Sequence, residues 1–163
     1  YTIEAAAGPS TETAELRFDP SGTAIILAGS TPHGQGHETI YKQLVCEKLG
    51  LAPEDIRVIE GDTDKVSFGT GTGGSRTAAI GTSAVLQATD KVIEKARKIA
   101  AHLLEASEQD IALEDGKFTI AAFNTESCFV SGVAGPGDHN VRRRNHGGVN
   151  VGRRSRDVRV GQC

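Results

Sequence analysis

Glycine is concentrated in two segments, residues 32–39 and 69–77, and a helical pattern follows each of them. A helix N-terminus presents unpaired backbone N–H groups and roughly half a positive charge, so a loop that leads into it can bind an anion. Because glycine lacks a Cβ atom, such loops can bring their N–H groups close to a ligand. The two segments therefore predict two loops that form the two walls of one crevice for a polyanionic ligand.

The side chains between these glycines suit a heterocycle that carries a phosphate. Gln35 offers a donor and an acceptor, and Arg76 offers a planar set of donors that matches phosphate or the edge of a pterin. Ser75 and Thr77 add hydroxyl groups. The candidate cofactor-binding residues are Gly34, Gln35, Gly36, Gly74, Ser75, Arg76 and Thr77.

The apolar pattern up to residue 120 predicts an α+β fold. Residues 14–28 predict a β-hairpin, because two apolar strands flank a turn sequence at residues 19–22. A helix is predicted over residues 37–49, with Gly50 at its end, and a short strand over residues 56–59. The inward stripe of this helix is predicted to contain Ile40, Leu44, Val45 and Leu49.

The next helix is predicted over residues 83–106, with Thr82 as its N-cap. A second hairpin follows over residues 111–120 and turns at Asp115-Gly116. Both helices are followed by a short acidic turn and a strand. The fold prediction is thus β-hairpins plus two helix-turn-strand units, with the helices packed on one face of a mixed sheet.

Composition excludes no class of function. The chain has 163 residues, a formal net charge of −3 and 37% hydrophobic residues, which is ordinary for a single globular domain. We find no apolar run long enough to span a membrane and no secretory leader, so we expect a cytoplasmic protein without a membrane span. Because the chain begins with Tyr1 and contains no methionine, we also expect a piece of a longer protein.

The character of the chain changes after residue 120. Seven arginines fall between Arg142 and Arg159, and neither a helical nor a strand period is present from residue 139 onward. We therefore predict one domain over residues 1–120 and an irregular, basic, disordered or non-native tail over residues 121–163. The alternative function is nucleic-acid binding through this tail, although it contains no aromatic residue after Phe129 for base stacking.

Other site types remain open at this stage. His33 and His37 have the spacing of two zinc ligands on a helix, but the intervening glycines disfavour helix. Asp62 and Asp64 resemble the start of a calcium loop, and a turn that bonds its own backbone is the simpler interpretation. Residues 69–77 share the glycine content of a phosphate-binding P-loop but lack its lysine. In a further alternative, the glycines only permit tight turns and the protein has no cofactor.

Four motifs occur together in a characteristic order: residues 33–39, 53–56, 61–64 and 73–76. In this order and spacing they closely resemble the large-subunit family of molybdenum hydroxylases, which includes aerobic carbon monoxide dehydrogenase, xanthine dehydrogenase and aldehyde oxidase. The carbon monoxide dehydrogenase-like branch is the most similar. The resemblance covers roughly residues 1–120.

The resemblance implies a fragment of the domain that binds the molybdopterin cofactor, a molybdenum cofactor that also occurs in a cytosine dinucleotide form. It implies that Gln35 lies against the cofactor, and that Gly74, Ser75, Arg76 and Thr77 contact it through backbone amides and hydroxyls. The implied partners are the rest of the large subunit, flavin and iron–sulfur subunits or domains, and a small-molecule substrate. We assign no catalytic residue and no metal ligand to this chain, because the family's glutamate base has no counterpart here, and we expect the chain alone to be inactive.

Overall fold

The computed structural model describes residues 11–121, 123–130 and 141–143, which form two helices and two sheets. The first sheet contains strands β1 (Ala14–Phe18), β2 (Ala24–Ala28) and β3 (Ile56–Glu60), in that order. Strands β1 and β2 form the predicted antiparallel hairpin, and β3 lies parallel to β2. This sheet is therefore mixed, as predicted.

Helix α1 (His37–Leu49) connects the two parallel strands and ends at Gly50, which adopts a left-handed conformation with φ of 64°. One residue of the predicted inward stripe, Ile40, is wrong. The side chain of Ile40 is 36% exposed, whereas Tyr41 is 1% exposed and takes the inward position. The sequence pattern misplaced the stripe because two of the buried residues, His37 and Tyr41, carry polar groups.

Helix α2 (Thr82–Leu103) packs against α1 and against β1. A π-helical turn, Thr77–Gly81, leads directly into it. The prediction that Thr82 is the N-cap is therefore wrong. Its hydroxyl donates to the carbonyl of Ala78 one turn earlier, in place of an N–H group of the following turn, so Thr82 lies inside a continuous helical segment.

The second sheet is antiparallel, with the order β4 (Ile111–Glu114), β5 (Lys117–Ile120), β6 (Phe123–Phe129), β7 (Val141–Arg143). Its first hairpin turns at Asp115 and Gly116 as predicted, with φ of 47° and 73°. The predicted α+β class and the two helix-turn-strand units are confirmed, since single 3₁₀ turns, Pro53–Asp55 and Glu108–Asp110, precede β3 and β4.

Strand β6 lies where an irregular chain was predicted. The sequence of Phe123–Phe129 shows no alternation of apolar and polar residues, but its backbone pairs with β5, and Cys128 is buried opposite Phe118. The arginine-rich segment from residue 144 onward lies outside the described residues. No helix of the described residues is long and apolar enough to cross a membrane.

A close backbone contact joins the end of α1 to the second sheet. A Cβ atom built on Gly116 would lie 2.7 Å from the carbonyl oxygen of Gly50, and one built on Gly50 would overlap the backbone of Gly116. Neither position can accept a side chain without displacement. The hairpin turn β4–β5 therefore fixes the C-terminal end of α1.

Candidate functional site

The first glycine loop leaves the carboxyl end of β2 and enters α1. Because β2 and β3 are parallel, their carboxyl ends meet at the same edge of the sheet, and the loop lies at this edge. Gly34 and Gly36 have φ of 85° and 82°, and a Cβ atom on either would meet no atom of the described residues within 4 Å. The loop thus requires glycine for its backbone conformation, and the space beside it is open.

Gly36 is the N-cap of α1, and no side chain of the described residues caps this helix. Its first-turn N–H groups lack the side-chain acceptor that Ser, Thr, Asp or Asn would supply at this position. Glu38 is the acidic residue of the first turn, and it pairs with Lys42 at 2.8 Å. This end of α1 retains the electrostatic properties of an anion site.

A groove of about 560 Å³ runs along this edge. The first loop and the start of α1 form one side, and β3 with the turn after it forms the other. Gln35 is exposed there, and its side-chain oxygen accepts a hydrogen bond from the His33 N–H, so its amide nitrogen remains as a donor. The size lies within the range of small-molecule sites.

Both signs of charge line the groove. Arg57 and Lys65 supply the positive charge, and Lys65 donates to Asp62 at 2.7 Å. This hydrogen bond is the main reason that the pKa of Asp62 lies below its usual value. Asp62 also accepts from the Asp64 N–H at 3.1 Å, so the segment is the backbone-bonding turn considered above.

The second glycine loop is fastened beside the first. A Cβ atom on Gly29 would lie 2.5 Å from the Cα atom of Gly69, so the two chains cross in direct backbone contact. Beyond this crossing, the Thr72 hydroxyl accepts from the Thr31 N–H at 3.0 Å and donates to the Thr31 carbonyl at 2.8 Å. The two loops are therefore adjacent, as predicted.

The prediction that the two loops form opposite walls is wrong for this groove. Residues 73–77 are absent from its lining, and β3 with the turn at residues 61–65 takes the place that was predicted for them. Gly73 and Gly74 follow Thr72, and Gly74 and Ser75 have positive φ of 61° and 52°. Thr77 is buried, and its hydroxyl lies 3.4 Å from that of Thr72.

Arg76 does not present its guanidinium group to a ligand. Its side chain is 3% exposed and pairs at 2.6 Å with Glu12, whose side chain is 2% exposed. It also donates to the carbonyls of Thr11 at 2.7 Å and Gly71 at 3.1 Å. The predicted phosphate-binding role of this side chain is wrong, because these groups stabilise the base of the second loop.

Sequence reasoning missed a buried network around Glu60, here called the Glu60 network. His37 Nδ1 lies 3.0 Å from Glu60 Oε1, and the Ser30 hydroxyl donates to the same oxygen. The Tyr41 hydroxyl lies 3.0 Å from Ser30 Oγ. Since the single Ser30 proton goes to Glu60, Tyr41 donates to Ser30. The only sequence signal was the placement of these residues beside the loop and at the end of β3.

The other candidate sites gain no support from the geometry. His37 Nδ1 faces Glu60, and no group of three or more possible metal ligands occurs in the part of the chain that the structure describes. Burial raises the pKa of the Cys46 thiol, and raises that of Cys128 to about 11. These cysteines therefore favour the protonated, unreactive form.

Known proteins are similar to this chain in both sequence and structure. The model of the molybdopterin cofactor-binding domain family matches residues 1–137. The large chain of carbon monoxide dehydrogenase from Hydrogenophaga pseudoflava is 38% identical over 123 residues, which are 76% of this chain and 15% of that protein. The large subunit of nicotine 6-hydroxylase from Paenarthrobacter nicotinovorans is 40% identical over 123 residues, with the same coverage of both chains.

A solved structure agrees with these relatives. Reconstituted carbon monoxide dehydrogenase from Oligotropha carboxidovorans matches with a TM-score of 0.74 and 34% identity, over 80% of this chain and 18% of that one. The chain thus spans about 15% of the length of the curated relatives that it matches. It belongs to the family of molybdopterin cofactor-binding domains, as found in carbon monoxide dehydrogenase-like large subunits of molybdenum hydroxylases.

Proposed function

We propose that this chain holds part of the molybdenum cofactor through its two glycine loops. The observation that carries the proposal is the open first loop. Two glycines in the left-handed region lead into a helix N-terminus without a side-chain cap among the described residues, beside a groove of about 560 Å³. These features fit an anionic heterocycle, since backbone N–H groups and the helix dipole favour a phosphate.

In this proposal each loop has its own role. Gln35 donates from its side-chain amide, and Gly34 and Gly36 let the backbone approach the ligand. Gly74 and Ser75 contribute backbone amides and a hydroxyl from the second loop, and Thr77 contributes its backbone only, because its hydroxyl is buried beside that of Thr72. Arg76 contributes its backbone only, because its side chain is committed to Glu12. When bound, the cofactor supplies the two-electron redox chemistry, and the residues of this chain bind and orient it.

The larger protein is, in this proposal, a cytoplasmic molybdenum hydroxylase of the carbon monoxide dehydrogenase-like type. Xanthine dehydrogenase and aldehyde oxidase are the alternative types of the larger protein. The cofactor takes the cytosine dinucleotide form, and the partners are the remainder of the large subunit together with iron–sulfur and flavin subunits. In this proposal, substrate selection and catalysis depend on residues outside this chain, which spans about 15% of the length of the relatives.

The test measures binding of isolated molybdenum cofactor to the chain by equilibrium dialysis. Gly34→Val places a side chain in the open space beside the first loop, where no atom of the described residues lies within 4 Å. We expect this side chain to keep the cofactor away from the backbone N–H groups of the loop, so that the affinity for the cofactor falls about tenfold through the lost hydrogen bonds. Gly22→Val is the matched control, because Gly22 also has positive φ, 91°, but lies in the β1–β2 turn. Failure of the unaltered chain to bind, or equal loss in both variants, contradicts the proposal.

A further inference from the structure

The Glu60 network, formed by Ser30, His37, Tyr41 and Glu60, lies almost completely out of solvent. Ser30 and Tyr41 are each 1% exposed, and the side chains of His37 and Glu60 are each 4% exposed. Burial of polar groups is unfavourable unless their hydrogen bonds are made, and a connected network fixes one geometry of the elements that carry it. Its place in the fold shows which elements these are.

Three members of the network connect to the glycine loops or to the strand that lines the groove. His37 directly follows Gly36 at the end of the first loop. Ser30 directly precedes Thr31, whose backbone N–H and carbonyl both bond to Thr72 of the second loop. Glu60 ends β3, which lines the groove. The network thus joins three elements at one buried carboxylate.

Tyr41 extends this connection to the start of α2. A Cβ atom on Gly81 would lie 2.6 Å from the Tyr41 hydroxyl, so glycine is needed where this hydroxyl approaches the helical segment. Gly81 closes the π-helical turn that begins at Thr77, the last residue of the second loop. The Tyr41 hydroxyl therefore lies against the backbone of the turn that begins at Thr77.

We propose that His37 and Glu60 are positioning residues, and that the Glu60 network sets the placement of both glycine loops relative to each other. The inference rests on the proposed function for its purpose, because the loops are the segments that would hold the cofactor. The positioning of the loops by the Glu60 network can be tested without the cofactor. A carboxylate only accepts hydrogen bonds, so Glu60 holds the His37 ring with the proton on Nδ1 and sets the direction in which the chain leaves Gly36.

The experiment records two-dimensional ¹H–¹⁵N NMR spectra of the full 163-residue chain and of Glu60 variants. In the unaltered chain we expect the His37 ring in the Nδ1–H form. Glu60→Ala removes the acceptor, and we expect loss of this tautomer preference together with shifts of the backbone signals of residues 34–36 and 72–77. Glu60→Gln retains an acceptor oxygen, and we expect it to restore both features.

Glu54→Ala is the matched control, because Glu54 is an exposed carboxylate in the turn just before β3. We expect neither loop to respond to it. Shifts in Glu60→Ala that are confined to α1 and β3, or an equal response to Glu60→Gln, would overturn the proposal.

Tyr41→Phe keeps the test decisive if Glu60→Ala does not fold. It removes one hydroxyl and retains the ring, and we expect shifts at Ser30, Gly81 and Thr77. Unchanged signals at Gly81 and Thr77 would contradict the proposal. These readouts do not involve the cofactor. Coupled loops in a chain that binds no cofactor would refute the proposed function alone, and uncoupled loops in a chain that binds it would refute the positioning role alone.

Discussion

The two glycine loops of this domain depend on glycine in different ways: both contain glycines with positive φ, but the second also contains a glycine in close backbone contact with the end of a strand. In the first loop, Gly34 and Gly36 adopt left-handed conformations beside open space. In the second loop, Gly69 lies in direct backbone contact with Gly29, and the loop continues into the buried pair of Arg76 with Glu12. The first loop is thus shaped by backbone conformation at the surface, and the second is anchored in the interior. Glycine content alone cannot distinguish the two.

The largest expected effect tests the anchored loop. Arg76→Ala leaves Glu12 as an unpaired charge with a side chain 2% exposed, and we expect a loss of about 3–5 kcal/mol in the free energy of unfolding. Urea denaturation measures this loss. Arg17→Ala, which removes an exposed ion pair with Glu15, serves as the control and should remain close to the unaltered protein. An equal response to both substitutions would show that the second loop is not anchored by its buried charge.

An intermediate effect separates the two uses of glycine. A Cβ atom on Gly69 would lie 2.6 Å from the carbonyl carbon of Gly29, and neither backbone can move without displacing the loop. We expect Gly69→Ala to lower the free energy of unfolding by about 1–3 kcal/mol through overpacking. Thermal and urea unfolding of the variant give this value.

Two further glycine variants sharpen the comparison. Gly73→Ala places its methyl group where no atom of the described residues lies within 4 Å, and the position has no positive φ. We expect its stability to match or slightly exceed that of the unaltered chain, because alanine restricts the unfolded state. Gly36→Ala incurs conformational strain without a clash, and Gly36→Asn should recover part of the loss. A clash-sized loss in Gly73→Ala would contradict the difference between Gly73, which faces open space, and Gly69, which is in close contact, within the second loop.

The smallest effect concerns the exposed wall of the groove. The hydrogen bond from Lys65 lowers the pKa of Asp62, so its contribution to stability is present above the ordinary pKa of an aspartate and is lost as the pH falls through the lowered value. In Lys65→Ala we expect the pKa of Asp62 to return toward its usual range. An NMR titration of the carboxyl group measures this. A pKa that does not move would assign the shift to the surrounding backbone N–H groups.

The sequence patterns predicted the elements with local causes. The β1–β2 hairpin, the end of α1 at Gly50 and the turn at Asp115 each depend on a few neighbouring residues, and all three are confirmed. The motif order also predicted the family. Local patterns failed where a polar strand is stabilised by its neighbours, as in β6, and where a helix begins with a π-helical turn in place of a capped end.

The missed parts of the site depend on residues far apart in the chain. Arg76 and Glu12 are separated by 64 positions, and Glu60 lies 23 positions after His37. An arginine in a glycine loop has the same local sequence whether it faces a phosphate or a buried carboxylate. Only the fold shows which partner is within reach, and for the same reason β3 was not recognised as the wall of the groove.

Helix α1 is held at both of its ends, by Glu60 at His37 and by the hairpin turn at Gly50. With 13 residues it is about 20 Å long. Because both ends are held, the helix has little freedom to tilt or slide, and a methyl group added at Gly116 would displace the hairpin turn or the C-terminal end of α1. The strain of such a substitution would fall on the same helix whose first turn lines the groove.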